Sequence, residues 1–340
     1  MGFRSKEISA HARWRAVCAL LASAPLAPLF LLCPAAAHAV SCTSQAELTA
    51  ADRTAIAAAA EQISTDVASQ NYPGLQAALL PAEASDWNAI RSAVEDSAPL
   101  MKGGQIQLDD AYLLDATSLT APEDSEFFCS NASGSLTVTM SMRALPPGRY
   151  AVILANAQGA PLDGQEGLVL AWDGGWKLAG LSIHQGKFDG HDGVWFWARA
   201  RVLSGSDPWS AYYLYDLARS MLLPVNFLSS PNLEKLDTEQ SEIKNSPKDA
   251  FPYSVPDGPR TWKIDSVDVN TILHQADLGV TYESTGVTTP AALHTEAVAV
   301  LSALLHAQPG LRESFHGMWA IASYNGKKTP IIELPMAQIP

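Results

Sequence analysis

Asp110 stands in phase with Ile106, Leu108, Tyr112 and Leu114. On a regular strand alternate residues share a face, so this carboxylate points into an apolar surface. Burial there disfavours the charged form and raises the pKa, as a general acid or base needs. Tyr112 and Tyr150 add phenolic donors. The structural alternative is a bulge at Asp109-Asp110, or an Asp110 that meets water at a rim. It is preferred, because a carboxylate is almost never fully buried unpaired. No histidine falls on the alternating faces of the early strands to complete a dyad.

A second group comprises His184, Asp189, His191 and Asp192, set around Gly186 and Gly190. Imidazole and carboxylate can hold a metal. Their spacing matches no ligand motif, however, and a glycine-rich polar stretch after a strand is ordinarily a solvated loop. His274, His294, His306 and His316 are scattered without ligand spacing and read as ordinary surface or core residues. There is no G-x-S-x-G beside a plausible triad, no P-loop and no H-E-x-x-H. No cofactor is implied. Asn131-Ala132-Ser133 is a formal glycosylation sequon.

The elements that must position these groups are helices, then strands. Thr49 and Asp52 resemble a capping box, and Ile56, Ala60, Ile63 and Val67 follow at helical spacing. Asn71-Tyr72-Pro73 stops that helix. Asp86 can cap a second one carrying Trp87, Ile90 and Val94, which ends near Pro99. The period then changes to two. Ile106 to Leu114 alternates, as does Leu136 to Met142, and Tyr150 to Ala155 is continuously apolar. Leu168, Leu170 and Trp172 lead into an Asp173-Gly174-Gly175 turn, and Trp176, Leu178 and Ile183 lead out. Helices followed by a meander of antiparallel strands predict an α+β unit over 44–185, with one buried sheet face.

This order, with the closing hairpin from Gly167 through Asp173-Gly174-Gly175-Trp176 to Leu178, resembles the NTF2-like superfamily, the α+β cone. The resemblance covers about 140 residues and is one of pattern. It implies a conical sheet with a pocket at its open end. Enzymes resembling ketosteroid isomerase use carboxylates and tyrosines in such a cone, but the superfamily also holds binders and adaptors, so no activity follows.

Upstream, residues 1–39 read as a secretory signal peptide. Arg4, Lys6, Arg13 and Arg15 form the basic region, Ala16 to Leu32 the apolar one, and Ala37-His38-Ala39 the cleavage site. Pro25, Pro28 and the small-residue ending weigh against a membrane anchor, and no later stretch has the apolar length of a span. The expected location is secreted or periplasmic. Two of four cysteines leave with the signal. Cys42 and Cys129 remain, and in an oxidising compartment they pair. The alternative is a lipid anchor on Cys42. Cleavage leaves 18 cations against 34 anions, a net charge of −16. That excess argues against sequence-independent nucleic-acid binding, which needs cations to replace phosphate counterions.

Residues 190–228 predict a helical hairpin, with Asp207 as cap and Pro208 at the first helical position. Trp195, Ala211, Tyr215, Ala218 and Pro224 resemble a single degenerate tetratricopeptide unit. Arg199 and Val202 depart from that pattern. The hairpin is crowded with aromatic residues, and consecutive ones cannot all face one side. Packing between domains is the first reading. A surface for ligand, partner or sugar, involving Trp195, Trp197 and Tyr212 and joined by Trp176 of the preceding hairpin, is the second. Residues 229–260, polar and proline-rich, read as a linker with one short helix near Leu233 to Ile243. Residues 261–340 predict a ββαββ unit whose helix, Pro290 to Ala307, packs on a small antiparallel sheet.

The leading expectation is an exported, non-enzymatic binding or scaffold protein of the cell envelope, recognising a small apolar ligand or a protein partner. A cone-type isomerase, dehydratase or hydrolase using Asp110 and Tyr112 is one alternative. Carbohydrate binding by the hairpin aromatics is another.

Overall fold

The structure, a computed structural model, describes residues 40–131 and 133–340. The expected signal peptide and Ala132 of the sequon lie outside them.

A short strand β1 (Ser41–Ser44) precedes three helices, α1 (Ala50–Ala68), α2 (Tyr72–Ala78) and α3 (Trp87–Met101). Thr49 Oγ1 accepts from the Asp52 N–H and starts α1, which buries Ile56, Ala60, Ile63 and Val67. Asn71 accepts from the Gly74 N–H and starts α2, which the sequence reading missed. Asp86 stands at the start of α3 but makes no side-chain cap bond. Pro99 sits in the last turn of α3, and the helix runs on to Met101.

Six strands follow: β2 (Gln105–Asp115), β3 (Glu123–Ser130), β4 (Thr137–Leu145), β5 (Arg149–Gln158), β6 (Gly164–Trp172) and β7 (Trp176–Gln185). They do not form one meander. The first sheet runs β1-β2-β5-β6-β7, so β2 pairs with β5, and the β3–β4 hairpin folds away into a separate sheet. The reason is burial on both faces. One face of the first sheet carries Ile153, Leu168, Leu170 and Leu178 against Ile56, Ile63, Leu75, Val94 and Met101 of the helices. The other carries Tyr112, Leu114 and Val152 against Phe127, Val138 and Met140 of the β3–β4 hairpin. Each such fully buried side chain contributes roughly 1.5–3 kcal/mol, so a second apolar face recruits its own cover. The disulfide Cys42–Cys129 ties β1 to β3 and thereby joins the two sheets.

A two-residue ladder, β8 (Lys187–Phe188) with β9 (His191–Asp192), leads into the helices α4 (Gly193–Leu203) and α5 (Pro208–Leu222). Asp192 caps α4 and Asp207 caps α5. Strand β10 (Leu228–Ser229) then returns to pair with β4. Residues 229–260 hold the expected short helix and, beyond that expectation, a strand. The helix is α6 (Pro231–Ser241), capped by Ser230, and the strand is β11 (Tyr253–Asp257). Pro256 hid this strand from a propensity reading, but β11 is an edge strand, where a missing N–H is tolerated.

The last sheet runs in chain order, β11 with β12 (Arg260–Asn270), β13 (Asp277–Glu283), β14 (Gly317–Tyr324) and β15 (Lys327–Pro335). It is not wholly antiparallel. Helix α7 (Pro290–Ala307) and the single turn α8 (Leu311–Ser314) cross over between β13 and β14, which therefore pair parallel. The α4–α5 hairpin shares its core with this sheet. Trp209 packs edge-on to Phe251 and tilted against Tyr253, with ring centroids 5.9 and 4.7 Å away. The class is α+β throughout.

Candidate functional site

The ladder between β2 and β5 slips at Leu108–Asp110, and this bulge corrects the phase expected along β2. Ile106 and Leu108 pack on the helix side, and after the slip Ala111 and Leu113 take over that side. Asp110 and Tyr112 fall on the opposite face. Tyr112 is 1% exposed and packed beneath the β3–β4 hairpin. Burial and the nearby Asp110 charge raise its phenol further above the ordinary tyrosine range. Asp110 itself is half-buried, and its neighbour Asp109 is exposed and accepts from Asn156 Nδ2 at 2.7 Å.

Tyr150, on the same face as Tyr112, has a different setting. Its hydroxyl donates to the Pro146 carbonyl at 2.8 Å, and its ring forms part of the wall of a cleft of about 820 Å³. Val169, Ala179 and Leu145 give the cleft an apolar floor, Phe227 an aromatic edge, and Arg143 and Arg219 two guanidiniums. Arg219 is paired with Asp237 at 2.7 Å, and Arg143 is exposed on β4. A smaller hollow of about 320 Å³ shares Val169 and Phe227 and continues over Gly180 and Ser182. The 225–227 segment that roofs both lies close on the sheet, because a Cβ on Gly167 would collide with Val225 Cγ1. Gly167→Ala should therefore destabilise the fold by about 1–3 kcal/mol. Urea denaturation measures this, and an unmoved midpoint would refute the close approach.

The hairpin aromatics divide. Trp197 is buried, donates from Nε1 to Glu239 Oε2 at 2.7 Å and lies under Arg201, which also pairs with Glu239. Tyr212 is half-buried against Tyr213, and its carbonyl accepts from Gln240 Nε2. These two serve the packing of α4, α5 and α6. Trp195 remains 42% exposed, with His191 stacked on one ring face at 3.7 Å. Trp176 is half-buried, edge-on to the exposed Trp172, with Arg149 over its ring. His184 is held by Gln165 at 3.0 Å, and burial lowers its pKa against an opposing hydrogen bond with the Met221 backbone. Among the described residues, His184 and His191 join no cluster of three metal-ligating groups.

A groove of about 1080 Å³ lies between the β11–β12 turn and α7. In its lining Lys263 pairs with Glu283, and Glu296 accepts from Ser284 and Thr285.

Among the buried acids that escaped the sequence reading, Glu166 stands in the first sheet. Glu166 is 1% exposed, accepts from Ser64 Oγ of α1, and leaves Oε1 without a hydrogen-bond partner among the described residues. Burial pushes its carboxyl up to about 7. The signal was present, because Glu166 alternates with Leu168 and Leu170 onto the helix-covered face. No family model, curated protein or solved structure matches this chain.

Proposed function

We propose that the chain is an exported binding protein whose cleft beside Tyr150 takes a small ligand with an apolar body and an acidic end. The carrying observation is the cleft itself. Its volume of about 820 Å³ falls in the range of small-molecule sites, and it sets Arg143, the ion-paired Arg219 and the carboxylate of Glu83 around Leu145, Val169 and Ala179. The amino-terminal half, with helices over one sheet face, is read as an NTF2-like unit put to binding. Catalysis at Asp110 and Tyr112 has less support, because Tyr112 is 1% exposed within the core under the β3–β4 hairpin. Export is consistent with the disulfide and with the absence, among the described residues, of any helix long and apolar enough to cross a membrane. A scaffold role toward an envelope protein is a second reading, favoured by the outer face of α4, where Val194, Trp195 and Val202 are exposed. Sugar stacking would be confined to the ring face of Trp195 that His191 leaves open.

Calorimetric titration with decanoate and decanol tests the first reading. Decanoate is expected to bind at one site, more tightly than decanol. Arg143→Ala should weaken decanoate about tenfold, the size of a lost charge-assisted hydrogen bond, and leave decanol unchanged. Val169→Trp, which fills the floor, should abolish both. No decanoate binding, or binding indifferent to Val169→Trp, overturns the proposal.

A further inference from the structure

The sequence offers no ligand spacing for His316, yet the last sheet brings it to two acids. Asp277 opens β13, His316 immediately precedes β14, and Glu333 lies on β15, which pairs with β14. One donor atom from each lies within 4.8 Å of the others. His316 Nδ1 is 2.9 Å from Asp277 Oδ1, and Trp319 Nε1 donates to Asp277 Oδ2 at 3.2 Å. Asp277 is 1% exposed, whereas the His316 side chain is about a third exposed.

Two further observations separate this group from an ordinary charged cluster. Glu333 Oε1 is shut off from solvent and has no hydrogen-bond partner among the described residues. A buried carboxylate oxygen so placed is costly unless something positive meets it. In addition, Gly317 keeps the space between the acids open. A Cβ there would stand 2.8 Å from Glu333 Oε1 and 3.1 Å from Asp277 Oδ1. Two acids and one imidazole thus converge on a cradle that only glycine leaves free.

We propose that Asp277, His316 and Glu333 form a binding site for a divalent transition-metal cation of the zinc class. One nitrogen and two oxygen donors suit zinc or cobalt better than calcium, which takes six to eight oxygens. Ligands at ~2.0–2.2 Å from one ion stand at most about 4.4 Å apart, so a small side-chain adjustment closes the site. The Trp319 N–H supplies the outer support that fixes a ligating carboxylate. Three protein donors leave one position for water, and the His316 side chain is about a third exposed to solvent.

The test is titration of Co²⁺ into the full exported chain after treatment with EDTA, read by visible absorption and by equilibrium dialysis. One equivalent per chain is expected, displaced by Zn²⁺ and unaffected by millimolar Ca²⁺. His316→Ala and Glu333→Gln should each weaken Co²⁺ binding by about tenfold or more, while His306→Ala, an exposed histidine on α7, leaves it unchanged. Should His316→Ala fail to fold, the near-isosteric Glu333→Gln carries the test. Absence of stoichiometric Co²⁺ binding, binding insensitive to Glu333→Gln, or binding of Ca²⁺ in place of Co²⁺ overturns the proposal.

Discussion

Replacing Glu166 with glutamine should remove about 3 kcal/mol of pH dependence from the stability of this protein. The folded carboxyl is raised from 4.5 to about 7, chiefly by burial. Between those values the native state therefore holds a proton that the unfolded chain has released. Stability is fully present below 4.5 and is lost as pH rises through 7. Each pKa unit corresponds to ~1.4 kcal/mol, which sets the size. The Ser64 hydroxyl, which donates to Glu166 Oε2, opposes the shift, and burial outweighs it. A glutamine amide has nothing to titrate over this range. Urea midpoints at pH 5, 6, 7 and 8 should show the wild type losing stability relative to Glu166→Gln. A gap that stays constant across that range would refute a shifted carboxyl.

The second large effect is expected at the disulfide. Cys42 and Cys129 close a loop with a sequence separation of 87. In the chain-entropy treatment a loop of that length is worth roughly 4–5 kcal/mol, and measured bridges typically give ~2–4. The double variant Cys42→Ser/Cys129→Ser should lose stability in this range, with the β3–β4 hairpin the first element released. Without the bridge, β1 is held only by its ladder to β2 and by packing. Hydrogen exchange in β3 and β4 should accelerate in the variant, and reductant should reproduce the effect in the wild type. Reduction that leaves the wild-type urea midpoint unchanged would contradict the expected contribution.

How much was legible in the chain depends on how local each signal was. The Thr49 and Asp207 caps, the α1 stripe, the α7 stripe and the Asp173-Gly174-Gly175 turn were readable because they rest on spacing within a few residues. The cysteine pairing was readable by composition and compartment. A bulge at Asp109-Asp110 was one half of the preferred reading there, the other being a wetted rim, and only the register of the partner strand decides between them. Strand β3 was not legible, because among its polar residues only Phe127, Phe128 and Cys129 are apolar, and the departure of the β3–β4 hairpin from the first sheet reflects competition for a second apolar face. Strand β11 was hidden by Pro256, which an edge position tolerates. The grouping of Asp277, His316 and Glu333 was invisible because three separate stretches supply it, and adjacency across β13, β14 and β15 is a property of pairing. The cleft beside Tyr150 likewise depends on where Phe227 lands after leaving α5.

That return of the chain has a mechanical outcome. After α5 has buried itself with the last sheet, residues 225–229 cross back to the β3–β4 side before α6 and β11 leave again. The two halves are thus laced rather than strung in tandem, and no single cut yields two self-sufficient pieces. Heat should melt them in one calorimetric peak, and a protease should find either an intact molecule or one it digests throughout.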